Sequence, residues 1–154
     1  MRYLPTGNWM QKADAHTIHE IGIPSLVLME RAALGIVEVI KSKAPKNKKI
    51  LIVCGSGNNG GDGFAIARLL HDENYSVEIA FVGKTESMSD ECKQQYCICK
   101  NIGISIATEI PTKEYGVIVD AIFGVGLCRE ISGKYASVIE CLNAMKGYKV
   151  AVDI

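Results

Sequence analysis

Ile50-Leu51-Ile52-Val53-Cys54-Gly55-Ser56-Gly57-Asn58-Asn59-Gly60-Gly61-Asp62-Gly63 decides the fold. Its first five residues are a continuous apolar run closed by glycine, the pattern of a strand buried on both faces. The periodic apolar residues Phe64, Ile66, Ala67, Leu69 and Leu70 then predict a helix from about Asp62 to Asp72. Residues 55–60 satisfy G-x-G-x-x-G between that strand and that helix. Glycine there allows positive φ and a close approach of backbone to ligand, and the helix N-terminus offers unpaired N–H donors and a positive dipole end. The combination suits a pyrophosphate. Two details depart from a dinucleotide fingerprint. No acid closes the next strand, where Val82-Gly83-Lys84 stands, and the turn carries Asn58, Asn59 and Asp62, which a plain phosphate cradle does not need. Asp62 reads equally as a helix N-cap or a ligand contact. No Gly-Lys-Ser/Thr follows, so this is not a Walker loop.

Working outward, strands are predicted at 77–82, 104–106, 117–122 and 149–153, with helices at 89–101 and 134–146. Ahead of the first strand, Thr6 caps a helix running to about Glu20. Ser25 caps a second, Leu26 to about Lys43, whose apolar face is Leu26, Met29, Ala33, Ile36, Val37 and Ile40 and which Pro45 stops. Strands alternating with helices imply an α/β fold, a mainly parallel sheet with helices on both faces.

The 154 residues carry 17 Lys+Arg and 17 Asp+Glu. One domain of that size hides roughly two-thirds of its unfolded surface, and 48% hydrophobic composition excludes a disordered chain. Zero net charge argues against nucleic-acid binding, and no run of about 18 apolar residues points to a membrane. The six cysteines contain no CxxC pair. They read as reduced thiols, several of them buried, rather than as a disulfide or zinc framework.

Two further acids stand out. Asp120 ends an apolar strand, where a carboxylate is costly unless hydrogen-bonded or holding a cation; capping is the plainer reading. Gly124-Val125-Gly126-Leu127-Cys128-Arg129-Glu130 follows, with Arg129 suited to phosphate. Asp153 closes the last strand. In a parallel sheet the Gly55 turn, the Asp120–Glu130 loop and Asp153 all fall at the carboxyl ends of strands, where open α/β sheets bind ligands.

GSGNNGGDGFAIAR, DAIFGVGLCRE and the final VDI closely resemble the YjeF N-terminal domain, the NAD(P)H-hydrate epimerase family, and Asp14 and Leu28-Met29-Glu30-Arg31-Ala32 fit its paired N-terminal helices. The resemblance spans essentially residues 1–154. It implies a Rossmann-like three-layer α/β/α sandwich preceded by two helices. The implied activity interconverts the R and S forms of hydrated NADH or NADPH (NADHX, NADPHX). An ADP- or ATP-dependent dehydratase, fused or separate, would then restore the cofactor in the cytoplasm. By motif matching, Asn58, Asn59, Gly60, Gly61 and Asp62 contact the hydrate, residues 124–130 form a second wall and Asp153 a third contact. Asn59 and Asp120 match two ligands of the family's potassium ion, agreeing with a hard cation's preference for oxygen donors. Family members continue past Asp-Ile with Pro-Ser-Gly, whose serine is a further potassium ligand, so the chain reads as a domain incomplete at its C-terminus.

Inverting carbon 6 of the hydrated ring needs no redox change. Loss of hydroxide to an iminium, or ring opening to an aldehyde, followed by return on the other face, suffices. Either route needs proton transfer at the hydroxyl, with Asp153 the first candidate and Lys84 and Glu130 weaker ones, their plainer readings being a surface lysine and a loop acid. The alternatives are a non-catalytic nucleotide- or protein-binding module on the same fold and half of an NAD-dependent oxidoreductase. Asn59, Asp120 and Asp153 around one cation favour catalysis, and the missing acid after the second strand speaks against the oxidoreductase. A homodimer through the exposed faces of the first two helices is a further expectation.

Overall fold

The structure, a computed structural model, describes residues 6–43, 46–128 and 130–152. Pro45, Arg129 and Asp153, singled out above, lie outside the described residues. Five strands, β1 (Ile50–Cys54), β2 (Val77–Phe81), β3 (Ile106–Ala107), β4 (Val117–Ala121) and β5 (Tyr148–Ala151), form one parallel sheet in the order β3-β2-β1-β4-β5. The helices are α1 (Gly7–His19), α2 (Ser25–Lys43), α3 (Asn58–Asp72), α4 (Asp90–Asn101) and α5 (Lys134–Ala144).

The apolar run of β1 explains the layers. Side chains alternate across a strand, so Ile50, Ile52 and Cys54 enter one core with α2, α3 and α4, while Leu51 and Val53 enter a second with α5. β4 divides the same way: Val117, Val119 and Ala121 face the first core and Ile118 the second. Every residue of β1 is buried, as a strand covered on both faces must be. The three-layer sandwich preceded in sequence by two helices is therefore present, and α2 packs in the same layer as α3 and α4. Met29, Ala33, Val37 and Ile40 are its buried residues, with Leu26 and Ile36 packed at the margin. Polar contacts add to this layer, since Arg68 of α3 pairs with Glu30 of α2 and donates from Nε to Gln95 of α4 at 3.5 Å. By contrast, α1 buries none of its residues.

Several boundaries differ from expectation. Thr6 caps α1 through Trp9 N–H. Ser25, however, is the first residue of α2, and its hydroxyl donates instead to Glu91 at 2.5 Å. The third strand lies at 106–107 rather than 104–106, because the ladder pairs Ile79 with Ile106, and Ile104 is buried just before it. The largest difference is α3. It begins at Asn58 with Gly57 as N-cap, so Asp62 lies inside the helix and is not its cap. None of glycines 55, 57, 60, 61 or 63 has positive φ, so their use is close approach alone. Among the described residues no helix is long and apolar enough to cross a membrane.

Phe64 is fully buried and packs against Phe81 and Tyr96 with ring centroids 5.9 and 5.5 Å away. Phe64→Ala is expected to lower unfolding free energy by about 3–5 kcal/mol. Leu34→Ala, at an exposed position of α2, should cost less than about 0.5 kcal/mol. Urea unfolding followed by circular dichroism checks both.

Candidate functional site

The turn between β1 and α3 is built on contacts that leave no room for a side chain. A Cβ on Gly55 would lie 2.2 Å from the Ile122 carbonyl oxygen, and one on Gly60 2.0 Å from that of Gly55. On Gly63 it would meet Ala121 Cβ at 2.7 Å and Cys54 Sγ at 2.8 Å, and on Gly61 the Met29 methyl at 2.7 Å. The first turn of α3 is thereby pressed against the carboxyl ends of β1 and β4, with Gly55 N–H donating to Ala121 O at 3.0 Å. Gly57 provides no side-chain cap, and the first bond of the helix runs from Gly61 N–H to Gly57 O at 3.1 Å. The N–H groups of Asn58, Asn59 and Gly60 thus have no intrahelical acceptor, the arrangement that receives anions.

Asn59 is the unusual residue of this turn. It is 6% exposed, and neither amide atom has a hydrogen-bond partner among the described residues. Leaving a buried polar group unsatisfied costs about 1–3 kcal/mol, so the position calls for a ligand. Asp120 is half-buried on β4, level with Val53 of β1. Burial pushes its carboxyl up from the usual 3.8, opposed by a hydrogen bond from Ile122 N–H at 3.0 Å. A buried amide oxygen and a carboxylate disfavoured in its charged form are a donor set that fits a hard cation. No group of three or more His, Cys, Asp or Glu gathers among the described residues.

The other candidates distribute around this centre. Asn58 is exposed and Gly60 and Gly61 are buried. Gly124 is partly exposed, while Val125, Gly126, Leu127, Cys128 and Glu130 are exposed, in a turn closed by Leu127 N–H to Gly124 O at 3.1 Å. Val152 N–H donates to Asp120 O at 2.9 Å. Lys84 is exposed, and its backbone N–H donates to Ser56 Oγ at 2.9 Å. Asp62 is partly buried and raises the Cys92 thiol, already lifted by burial, to about 12.

Two contributors escaped the sequence reading. Ser56 ties the glycine turn to the segment after β2, accepting from Lys84 N–H through Oγ and from Ser89 N–H through its carbonyl at 3.0 Å; its one sequence signal is a hydroxyl between two glycines. Gly7, at the start of α1, would place a Cβ 3.1 Å from Val125 Cβ, so α1 leans on the loop after β4. No local pattern announces that contact.

A parallel sheet in this order, with a tight glycine turn and a helix N-terminus at its carboxyl edge, defines a Rossmann-like α/β protein. Residues 25–154 match the family described as YjeF-related protein N-terminus, and the chain belongs to that family. It is 45% identical over 150 residues to a protein of Limosilactobacillus fermentum named NAD(P)H-hydrate epimerase, covering 97% of this chain and 72% of that one. A protein of Oenococcus oeni with the same name is 41% identical over 143 residues, covering 92% and 68%. The crystal structure of yeast ynu0 superposes with a TM-score of 0.85 at 21% identity over 99% of this chain and 70% of that one, a likeness of fold.

All six cysteines are free, with Cys54, Cys92 and Cys99 buried. Burial raises the Cys54 thiol and takes Cys99 to about 12. Because the thiolate is the reactive form, iodoacetamide at about pH 8 is expected to modify Cys97, Cys128 and Cys141 in the native protein and the buried three only after denaturation. Peptide mass spectrometry reads this directly. Native-state labelling of Cys92 would show that the glycine turn opens.

Proposed function

We propose that the chain acts as an NAD(P)H-hydrate epimerase, interconverting the R and S forms of NADHX and NADPHX. The observation that carries the reading is the unpartnered buried amide of Asn59 at the sheet edge it shares with half-buried Asp120, beside a helix N-terminus fit for a pyrophosphate. Asn58, Asn59, Gly60, Gly61 and Asp62 hold the hydrate from one side and residues 124–130, with Arg129 on a phosphate, from the other. Asp153 makes the third contact.

Asn59 Oδ1 and Asp120 would hold a potassium ion, which when bound offsets the Asp120 charge and helps fix an oxygen of the ligand. The protein's own groups move the proton. A carboxyl of Asp153 protonates the carbon 6 hydroxyl as it leaves as water, and takes a proton back as water adds to the iminium on the opposite face. In the ring-opening route it removes the hydroxyl proton as the carbon 6–nitrogen bond breaks, the nitrogen gaining a proton, and both transfers reverse when the nitrogen adds to the other face of the aldehyde. Glu130 and Lys84 are the further acid–base candidates. The backbone N–H groups of the turn anchor the phosphates, which is compatible with a chain of zero net charge. The reading carries a cytoplasmic setting and an ADP- or ATP-dependent dehydratase, fused or separate, that consumes the S form. The apolar side chains exposed on α1 and α2, Trp9, Val27 and Leu34 among them, support a homodimer through these helices.

An R/S mixture of NADHX supplied with an S-specific dehydratase tests the reaction. The protein is expected to accelerate consumption of the R form, and Asp153→Asn to remove about 10²–10⁴-fold of that acceleration. No acceleration by the wild type would sink the proposal. Independently, replacing tetramethylammonium chloride with potassium chloride should raise Tm, since a ligand bound only to the native state stabilises it. That rise should vanish in Asp120→Asn.

A further inference from the structure

A hollow of about 360 Å³ opens on the face of the sheet covered by α5. One wall is a single stripe of that helix, Lys134, Ser137, Val138 and Cys141, spaced i, i+3, i+4 and i+7 and hence on one side. The facing wall is Val82, just past β2, with Thr108, Glu109 and Ile110, which leave β3. Both strands contribute their carboxyl ends, so the hollow shares the edge of the glycine turn. The two are also tied together. Val82 N–H donates to Cys54 O at 3.0 Å, and Lys84 N–H to Ser56 Oγ at 2.9 Å. Neighbouring strands lie about 4.8 Å apart, so Val82 is one strand from the turn and Thr108–Ile110 two.

We propose that this hollow is the adenosine subsite of the dinucleotide, a step that rests on the epimerase reading above. Its volume lies at the lower end of the ~300–1,000 Å³ of ligand pockets, right for one nucleoside rather than a whole dinucleotide. Val82, Ile110 and Val138 give the purine apolar walls. The Glu109 carboxylate accepts hydrogen bonds from the ribose diol, and Lys134 on the opposite rim serves a phosphate on that ribose. This also accounts for the missing acid after β2. In a dinucleotide fold the ribose diol is met by an acid at the end of that strand. Here Val82-Gly83-Lys84 has none, and the acid comes from the adjoining strand end, in the same hollow as Val82.

Cys141 lines the hollow and is exposed, while Cys97 is exposed on α4, in the opposite layer. Alkylation of these two thiols in the wild-type protein, followed by mass spectrometry, reports on the hollow without any turnover. At nine-tenths occupancy, adenosine 5′-monophosphate is expected to slow Cys141 about tenfold by mass action and to leave Cys97 unchanged. Nicotinamide mononucleotide should leave both unchanged. Glu109→Ala should raise the adenosine monophosphate concentration for half-protection about tenfold, the loss of one charged hydrogen bond. An unaltered Cys141 rate at millimolar adenosine monophosphate, protection by the nicotinamide nucleotide instead, or no shift in Glu109→Ala would each overturn the assignment. R-form consumption without Cys141 protection removes this subsite and leaves the epimerase reading. Protection without R-form consumption removes the epimerase reading and leaves an adenosine site.

Discussion

The rest of the structure hangs on one close contact, that of the first turn of α3 with the ends of β1 and β4. The Gly60 Cα sits so near the Gly55 carbonyl, and Gly55 so near that of Ile122, that a single methyl at either position would overlap backbone. Overpacking costs about 1–3 kcal/mol even where side chains can yield, and backbone yields less. The contact fixes where α3 begins, presents its first-turn N–H groups at the sheet edge, and lowers Asn59 into a buried position. Gly63, pressed on Cys54 and Ala121 one turn later, lets the helix lie close against the strands it covers.

That packing creates the electrostatic problem the site must answer. An amide with no partner and a half-buried carboxylate are both unfavourable in an empty fold, and both sit where β1 and β4 diverge in the strand order. A protein built for stability alone would place apolar residues there, as β1 does along its whole length. On the proposed function, an oxygen-seeking cation and a polyanionic ligand would answer both costs together. The same proposed pairing would let a chain with equal numbers of acidic and basic residues hold a phosphate-rich substrate, since backbone dipoles supply positive potential.

The strands were legible because burial on both faces leaves an unmistakable apolar run, as at 50–54 and 117–121, and the parallel sheet follows from their alternation with helices. The start of α3 was not. Gly60, Gly61 and Gly63 read as loop by propensity, yet contacts with Met29, Cys54, Gly55 and Ala121 hold them in a helix. Local preference lost to tertiary packing, with no φ reason for glycine at any of these positions. Ser25 misled in the opposite sense, since its partner Glu91 lies 66 residues away. Asp120 was legible as a carboxylate in an apolar strand, and Asn59 as an amide in a glycine turn that a plain phosphate cradle does not need. Ser56, Gly7 and the hollow beside α5 were not, because each is made by segments that meet only in the folded chain.

The hollow shows why a motif can be incomplete in sequence and complete in space. A fingerprint written along one strand–turn–helix unit assumes that the acid for the ribose follows the second strand. Parallel strands bring several chain ends to one edge at a spacing of about 4.8 Å, so a carboxylate one strand over reaches much the same volume. Glu109 fills that role without altering Val82-Gly83-Lys84, which is already committed through Lys84 N–H to holding Ser56 in the glycine turn. The segment after β2 bends back to brace the phosphate end of the site, and β3 supplies what it no longer can.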